Sequence, residues 1–194
     1  MKNSTTTKWV LDPIHSELSF KVKHLMIANV KGAFSQFTAE IDGEDITNSA
    51  VKATIDASSI STNNTDRDIH LKSADFFDVE NHKDILFTST SFKKIDDENY
   101  KLTGQLTIKD VTKEIVLDVE FGGTNKDPWG NEKAGFTIQG KINRSDWGLV
   151  WNATIETGGF MVSESISILC EVELLKLGEK GLTMELESEN TATA

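Results

Sequence analysis

Leu102-Thr-Gly-Gln-Leu-Thr-Ile108 is followed, after a short spacer, by Ile115-Val-Leu-Asp-Val-Glu-Phe121. Leu102, Leu106 and Ile108, then Ile115, Leu117, Val119 and Phe121, recur at every second position. Alternate side chains of an extended chain point to opposite faces, so each run reads as a strand with one face in a core. The pattern returns on both sides. Upstream, Leu18, Phe20 and Val22 alternate with Ser19, Lys21 and Lys23. Val30, Gly32 and Phe34 follow, and Phe37, Ala39 and Ile41 continue in the opposite phase, a slip that marks a bulge or bend. Val51, Ala53 and Ile55 form a third segment, and Ile85 through Phe92 a fourth. Downstream, Phe136, Ile138, Gly140 and Ile142, and then Ile166, Ile168, Cys170, Val172 and Leu174, bring the count to eight.

The spacers Asp42-Gly43, Asp96 to Asn99 and Gly122 to Gly130 are short and rich in turn formers. Short spacers favour antiparallel neighbours, because parallel strands need crossovers of about a dozen residues, usually helical. The sequence predicts one short helix, Thr65 to Ser73. There Thr65 and Asp68 have capping-box spacing, and Asp66 and Asp68 place negative charge in the first turn. Phe76-Phe77 behind it reads as a plug or cover. Eight antiparallel strands either stack as a sandwich or close as an all-β, eight-stranded barrel, and closure removes the edges an open sheet must protect. Such a barrel is filled by side chains or holds one small elongated ligand. Gly32, Ala53, Gly104 and Gly140 fall on inward phases beside Phe20, Phe34, Phe121 and Phe136, so gaps between aromatic walls predict a lumen with room in it.

With 194 residues, 38% hydrophobic and 26% charged, the chain is sized for a single domain. No apolar run approaches the length of a membrane-spanning helix. A net charge of −11, with basic runs no longer than pairs such as Lys93-Lys94, argues against nucleic acid as a partner. It also predicts repulsion from an anionic membrane and no stable membrane insertion. The boundaries read as a flexible segment over 1–8, a barrel domain over 9–176 and an acidic, disordered tail over 177–194. Residues 1–8 hold no apolar stretch of seven, which sets a cytoplasmic expectation, with the periplasm as the alternative if a leader has been removed.

Chemistry-bearing motifs are sparse. His15, His24, His70 and His82 never stand two or four apart, so no metal site is expected. Cys170 shares a face with Ile168 and Val172, beside Glu171 and Glu173, which suits a buried apolar thiol better than a nucleophile. No G-x-S-x-G, Walker or G-x-G-x-x-G motif occurs. The acid pairs lie in loops or at the helix start, where turns and capping explain them. Catalysis is not expected, an enzyme acting through His24 or His70 being the least favoured reading.

Trp9-Val-Leu-Asp-Pro-Ile-His-Ser16 with Phe20-Lys-Val-Lys-His24 resembles the opening of the YceI-like family. In order, Val30-Lys-Gly-Ala-Phe34 is similar to its V-x-G-x-F, and Asp68 to Ser73 with Asp75 to Val79 to its H-L-[KR]-S-x-D-F-F-D-V. Phe87 to Thr90, Gly104 to Lys113, Gly135-Phe136 and Ile142 to Gly148 resemble its later motifs. Two positions depart: His82-Lys83 replace an aromatic and Pro, and Trp147 stands where Phe is usual, which is expected to narrow the entrance or change chain-length selection.

The resemblance implies a lipocalin-like barrel that binds a polyisoprenoid, an isoprenoid quinone or a similar long amphiphile, without a cofactor. As wall residues the reading selects Phe20, Val22, Phe34, Phe76, Phe77, Phe87, Leu106, Phe121, Phe136 and Ile138, and as mouth residues Lys72 and Arg144, with His24 nearby. A homodimer is expected. The competing reading is a protein-interaction or dimerisation module whose barrel core is filled and holds no specific lipid.

Overall fold

A computed structural model describes residues 7–46, 49–154 and 159–177. The strands are β1 (Lys8–Leu11), β2 (Glu17–His24), β3 (Ala28–Phe34), β4 (Phe37–Asp42), β5 (Val51–Asp56) and β6 (Ile60–Ser61). After helix α1 (Thr65–Lys72) come β7 (Asp84–Lys94), β8 (Asn99–Ile108), β9 (Val111–Lys126), β10 (Glu132–Asn143) and β11 (Val162–Leu177). All pairings are antiparallel. Eight strands close a ring in the order β1-β4-β5-β7-β8-β9-β10-β11 and back to β1.

The ring closes through a strand that the periodicity did not reveal. β1 is four residues long, too short to display alternation, yet Lys8 to Leu11 pairs with β4 on one side and with Leu174 to Leu177 of β11 on the other. The expected first strand, Leu18 to Val22, lies in β2, which pairs with the other half of β11, Val162 to Glu171. β3 and β6 extend that branch. One end of the barrel is therefore closed by β1, and the other flares into the β2–β3–β6 flap. The phase slip after Phe34 is a full break at Ser35 and Gln36. Both backbone N–H groups there bond Ser59, at its carbonyl (3.2 Å) and its hydroxyl (3.1 Å), so the corner is satisfied from the next turn.

The helix lies where the sequence placed it, with a different cap. Asn64 accepts the Arg67 N–H at 2.9 Å, and Asp68 reaches back to the Thr62 N–H (2.8 Å) and hydroxyl (2.5 Å) instead of completing a box with Thr65. Arg67 closes the cluster, donating to the Thr62 hydroxyl at 2.7 Å and its carbonyl at 3.0 Å. The strands reach Lys8 and Leu177, one residue beyond each expected boundary; segment 1–6 and the acidic stretch from Gly178 lie outside the described residues.

The hand-over on β11 is fastened by the Asp12–Ser16 corner. Asp12 donates its N–H to the Glu173 carbonyl (2.8 Å), and Ser16 Oγ accepts the Glu173 N–H (3.0 Å). Lys133 Nζ from β10 bonds Asp12 Oδ2 at 2.7 Å and Glu173 Oε1 at 2.6 Å. The Lys133 ammonium, helped by His15 and the Ile14 N–H, holds the Asp12 carboxyl well below the usual carboxylate range. A depressed carboxyl pKa adds stability that is complete above the unfolded value of about 4 and is lost as pH falls through the folded one. Asp12→Asn is therefore expected to lower the melting temperature at pH 7, with the gap to wild type narrowing as the buffer is taken below about pH 4. Thermal melts across that range check this, and a gap independent of pH counts against the ion pair as its source.

Candidate functional site

Inward side chains of the ring, of β2 and β3, and of the segment after α1 surround a cavity of about 270 Å³. On β11 the lining runs from Val162 through Ile166, Ile168, Cys170 and Val172 to Leu174. At about 3.3 Å per residue and a strand tilt near 40°, that stretch covers about 30 Å along the barrel axis. The closed end is plugged by buried Trp9, Tyr100, Leu102, Ala134 and Leu174. At the flared end Phe77 meets Phe34 edge-on at 5.9 Å, and Phe76 packs against Trp151 at 5.5 Å. The connection between β10 and β11 thus meets the segment after α1 across the mouth.

Nine of the ten expected wall residues border this cavity: Phe20, Val22, Phe34, Phe76, Phe77, Phe87, Leu106, Phe136 and Ile138. Phe121 does not. Its ring stacks on Phe136 at 5.1 Å and meets Tyr100 edge-on at 6.4 Å, inside the aromatic packing of the closed end. The sequence reading did not name Leu117, Val119 or the inward residues of β11, although the inward phase of the sixth and eighth segments carried that signal.

The two expected mouth cations part ways. Lys72 lies outside the lining, and its charge, with that of Lys83, assists the Ser58 hydrogen bonds that hold the Asp56 carboxyl below its ordinary range. Arg144 borders the cavity but is only 3% exposed. Its Nε donates to the Ser163 carbonyl (3.0 Å) and Nη1 to those of Leu149 (2.6 Å) and Trp151 (2.8 Å). Nη2 reaches the Val162 carbonyl (3.5 Å) and Glu164 Oε1 (3.3 Å). All five guanidinium N–H groups thus have acceptors, and Arg144 staples the β10–β11 connection across the mouth. Trp147 is likewise internal, donating Nε1–H to the Leu106 carbonyl at 3.1 Å; it is outside the lining and does not narrow the entrance.

The glycines act differently from the expected gaps. A Cβ on Gly32 would overlap the Phe20 ring, one on Gly104 the Phe87 ring, and one on Gly140 a methyl of Leu117. Each glycine seats a neighbouring side chain flat against the sheet, and the free space lies beyond these seated groups.

Chemically the lining offers containment. Among the described residues its titratable members are Arg144, fully bonded, and Cys170, whose thiol is pushed up to about 12 by burial and so stays protonated at neutral pH. His24 and His70 lie outside it; His70 Nε2 bonds Asp75 at 2.9 Å, and its ring rests edge-on against Trp151. Asp12, His15 and Glu173 bring ligand atoms within 4.8 Å of one another, a grouping that sequence spacing did not foresee. Lys133 already answers that charge from 2.6 and 2.7 Å.

The family model for the YceI-like domain matches residues 9–174. A UPF0312 protein of Staphylococcus epidermidis is 42% identical over 170 residues, covering 86% of this chain and 96% of that protein. The crystal structure of a Campylobacter jejuni YceI protein is 40% identical with a TM-score of 0.70, covering 92% of this chain and 100% of that one. A polyisoprenoid-binding domain of Saccharophagus degradans shares the fold at 16% identity and a TM-score of 0.63, over 86% of this chain and 97% of that one.

The seating role of the glycines is testable. Gly104→Ala meets the Phe87 ring and the Thr88 carbonyl oxygen (2.7 Å), whereas Gly140→Ala meets a flexible leucine methyl first. The former is expected to cost about 1–3 kcal/mol in urea denaturation and the latter clearly less. Equal costs would remove the distinction.

Proposed function

The chain belongs to the YceI-like domain family, and on that premise we propose that its tunnel binds a polyisoprenoid, an isoprenoid quinone or a similar long-chain amphiphile, non-covalently and without catalysis. The observation that carries this reading is the apolar lining from mouth to plug, in which, among the described residues, no carboxylate or histidine borders the lumen. The Saccharophagus domain, described as polyisoprenoid-binding, supports the ligand class by analogy of fold. Transport, storage or stress protection are the roles such binding serves. Each methylene moved from water into the lumen contributes about 0.8 kcal/mol, offset by the cost of ordering a flexible chain, so affinity rises with chain length. The cavity favours this reading over an interaction module with a filled core. Among the described residues, no helix is long and apolar enough to cross a membrane.

Native mass spectrometry of the protein from its own host, followed by lipid extraction, is expected to give a stoichiometric prenyl or quinone species. The same spectrum reads whether the protein is the expected homodimer. A clean mass unchanged after incubation with prenyl lipids of several lengths would overturn the proposal. Cys170 supplies a structural control, because its side chain borders the lumen. Cys170→Trp is expected to abolish prenyl uptake while costing less than the roughly 1–3 kcal/mol typical of overpacking a filled core.

A further inference from the structure

The outer face of the flared end carries a charge pattern opposite to that of the whole chain. Across four strands, Lys141 of β10 lies beside Ser167 of β11, Ser167 beside Lys21 of β2, and Lys21 directly opposite Lys31 of β3. Lys23 follows on the same face, one step nearer the β2–β3 turn. All four lysines are exposed, and among the described residues none has an ion pair or hydrogen-bonded side chain. Like charges directly opposite in a sheet are unfavourable, so this row is not there for stability. Farther from the turn the same face becomes neutral at Leu169 and Ser19 and acidic at Glu171 and Glu17. On the mouth side, Glu164 is engaged by Arg144.

The turn itself is built against the usual preference. Leu25 (φ 51°) and Met26 (φ 61°) occupy the two left-handed positions that such turns normally give to Asn and Gly. Met26 is 57% and Ile27 84% exposed. Phe160, 57% exposed, precedes Met161, whose carbonyl accepts the Leu25 N–H at 2.8 Å, so a third apolar side chain flanks the tip. The tip stands at the tunnel mouth: Val22 and Val162 border the cavity, and Val162 pairs with His24 at the base of the turn.

We infer that the flared end docks on the anionic surface of a lipid bilayer. Lys21, Lys23, Lys31 and Lys141 are drawn to the headgroups, and Met26, Ile27 and Phe160 enter the interface. The docking rests on the tunnel being a lipid site, since it places the mouth against the phase that holds such lipids. The net charge of −11 does not prevent it, because screening confines the relevant field to about 8 Å at physiological salt and the local face is basic. The repulsion expected from net charge alone is thereby replaced by an oriented attraction, without insertion of the barrel.

The test is flotation of the full chain with phosphatidylcholine vesicles, with and without phosphatidylglycerol. Association is expected only with phosphatidylglycerol present and is expected to weaken as salt is raised. Each lysine strengthens it about fivefold, so combining Lys21→Glu, Lys23→Glu and Lys31→Glu should weaken it by more than about a hundredfold. Met26→Gly with Ile27→Ser is expected to reduce vesicle binding while the melting temperature holds or rises, since glycine relieves the left-handed position. No association of the wild-type chain, or undiminished association of the triple variant, would overturn the inference. So would equal retention on soluble heparin that ignores the Met26 and Ile27 changes, which would make the partner a polyanion. Geranylgeraniol binding in vesicle-free solution is read in parallel. If docking fails while that binding persists, only this inference falls; if that binding fails, the tunnel's proposed function falls with it.

Discussion

The backbone of β11 has more hydrogen-bonding groups along its free edge than either N-terminal neighbour can satisfy alone. Val162–Leu177 is sixteen residues long, β1 is four and β2 eight, so the edge is shared: β1 takes one end and β2 the other. A buried backbone group without a partner costs as much as a lost hydrogen bond, which makes this division obligatory. Every asymmetry of the barrel follows from it. The end given to β1 closes as a ring and fills with aromatic rings. The end given to β2 flares, takes the short β6 and is covered by the segment after α1. The Asp12–Lys133–Glu173 cluster sits at the hand-over and keeps the two neighbours in register.

Much of this architecture was legible in the alternation of apolar residues. β2, β3, β4, β5, β7, β8, β9, β10 and β11 each carry enough residues to show a period of two, and the helix is marked by its acidic first turn. β1 was not legible, because four residues cannot establish a period and its role depends on partners at both ends of the chain. The true cap, Asn64, was overlooked for the neighbouring Thr65, a one-residue choice that only backbone dihedrals decide. The wall residues were readable as a phase, not as a depth. Phe121 has the inward phase but lies where the barrel has already been plugged, and periodicity holds no information on position along the axis.

The cations show the same limit. Lys72 at the end of the helix and Arg144 after β10 stand where charge suits a polar head group, and sequence cannot tell an available guanidinium from one whose five N–H groups are already bonded. The lysines of β2, β3 and β10 were visible only as the polar half of an alternating pattern. Their alignment appears once strand register is known, since Lys141 is more than a hundred positions from Lys21 and Lys31 in the chain, with only one strand between it and Lys21 in the sheet.

The plug at the β1 end makes the tunnel a blind one, and a blind tunnel is a clock. An apolar chain that enters through the mouth can leave only by the same route, last in and first out, re-exposing its methylenes to water as it withdraws. Each added methylene would then slow departure by about fourfold, the kinetic image of about 0.8 kcal/mol, while arrival would depend little on length. Dwell time, more than selection at the door, would sort long chains from short ones, and an apolar phase held against the mouth would be the natural means of resetting it.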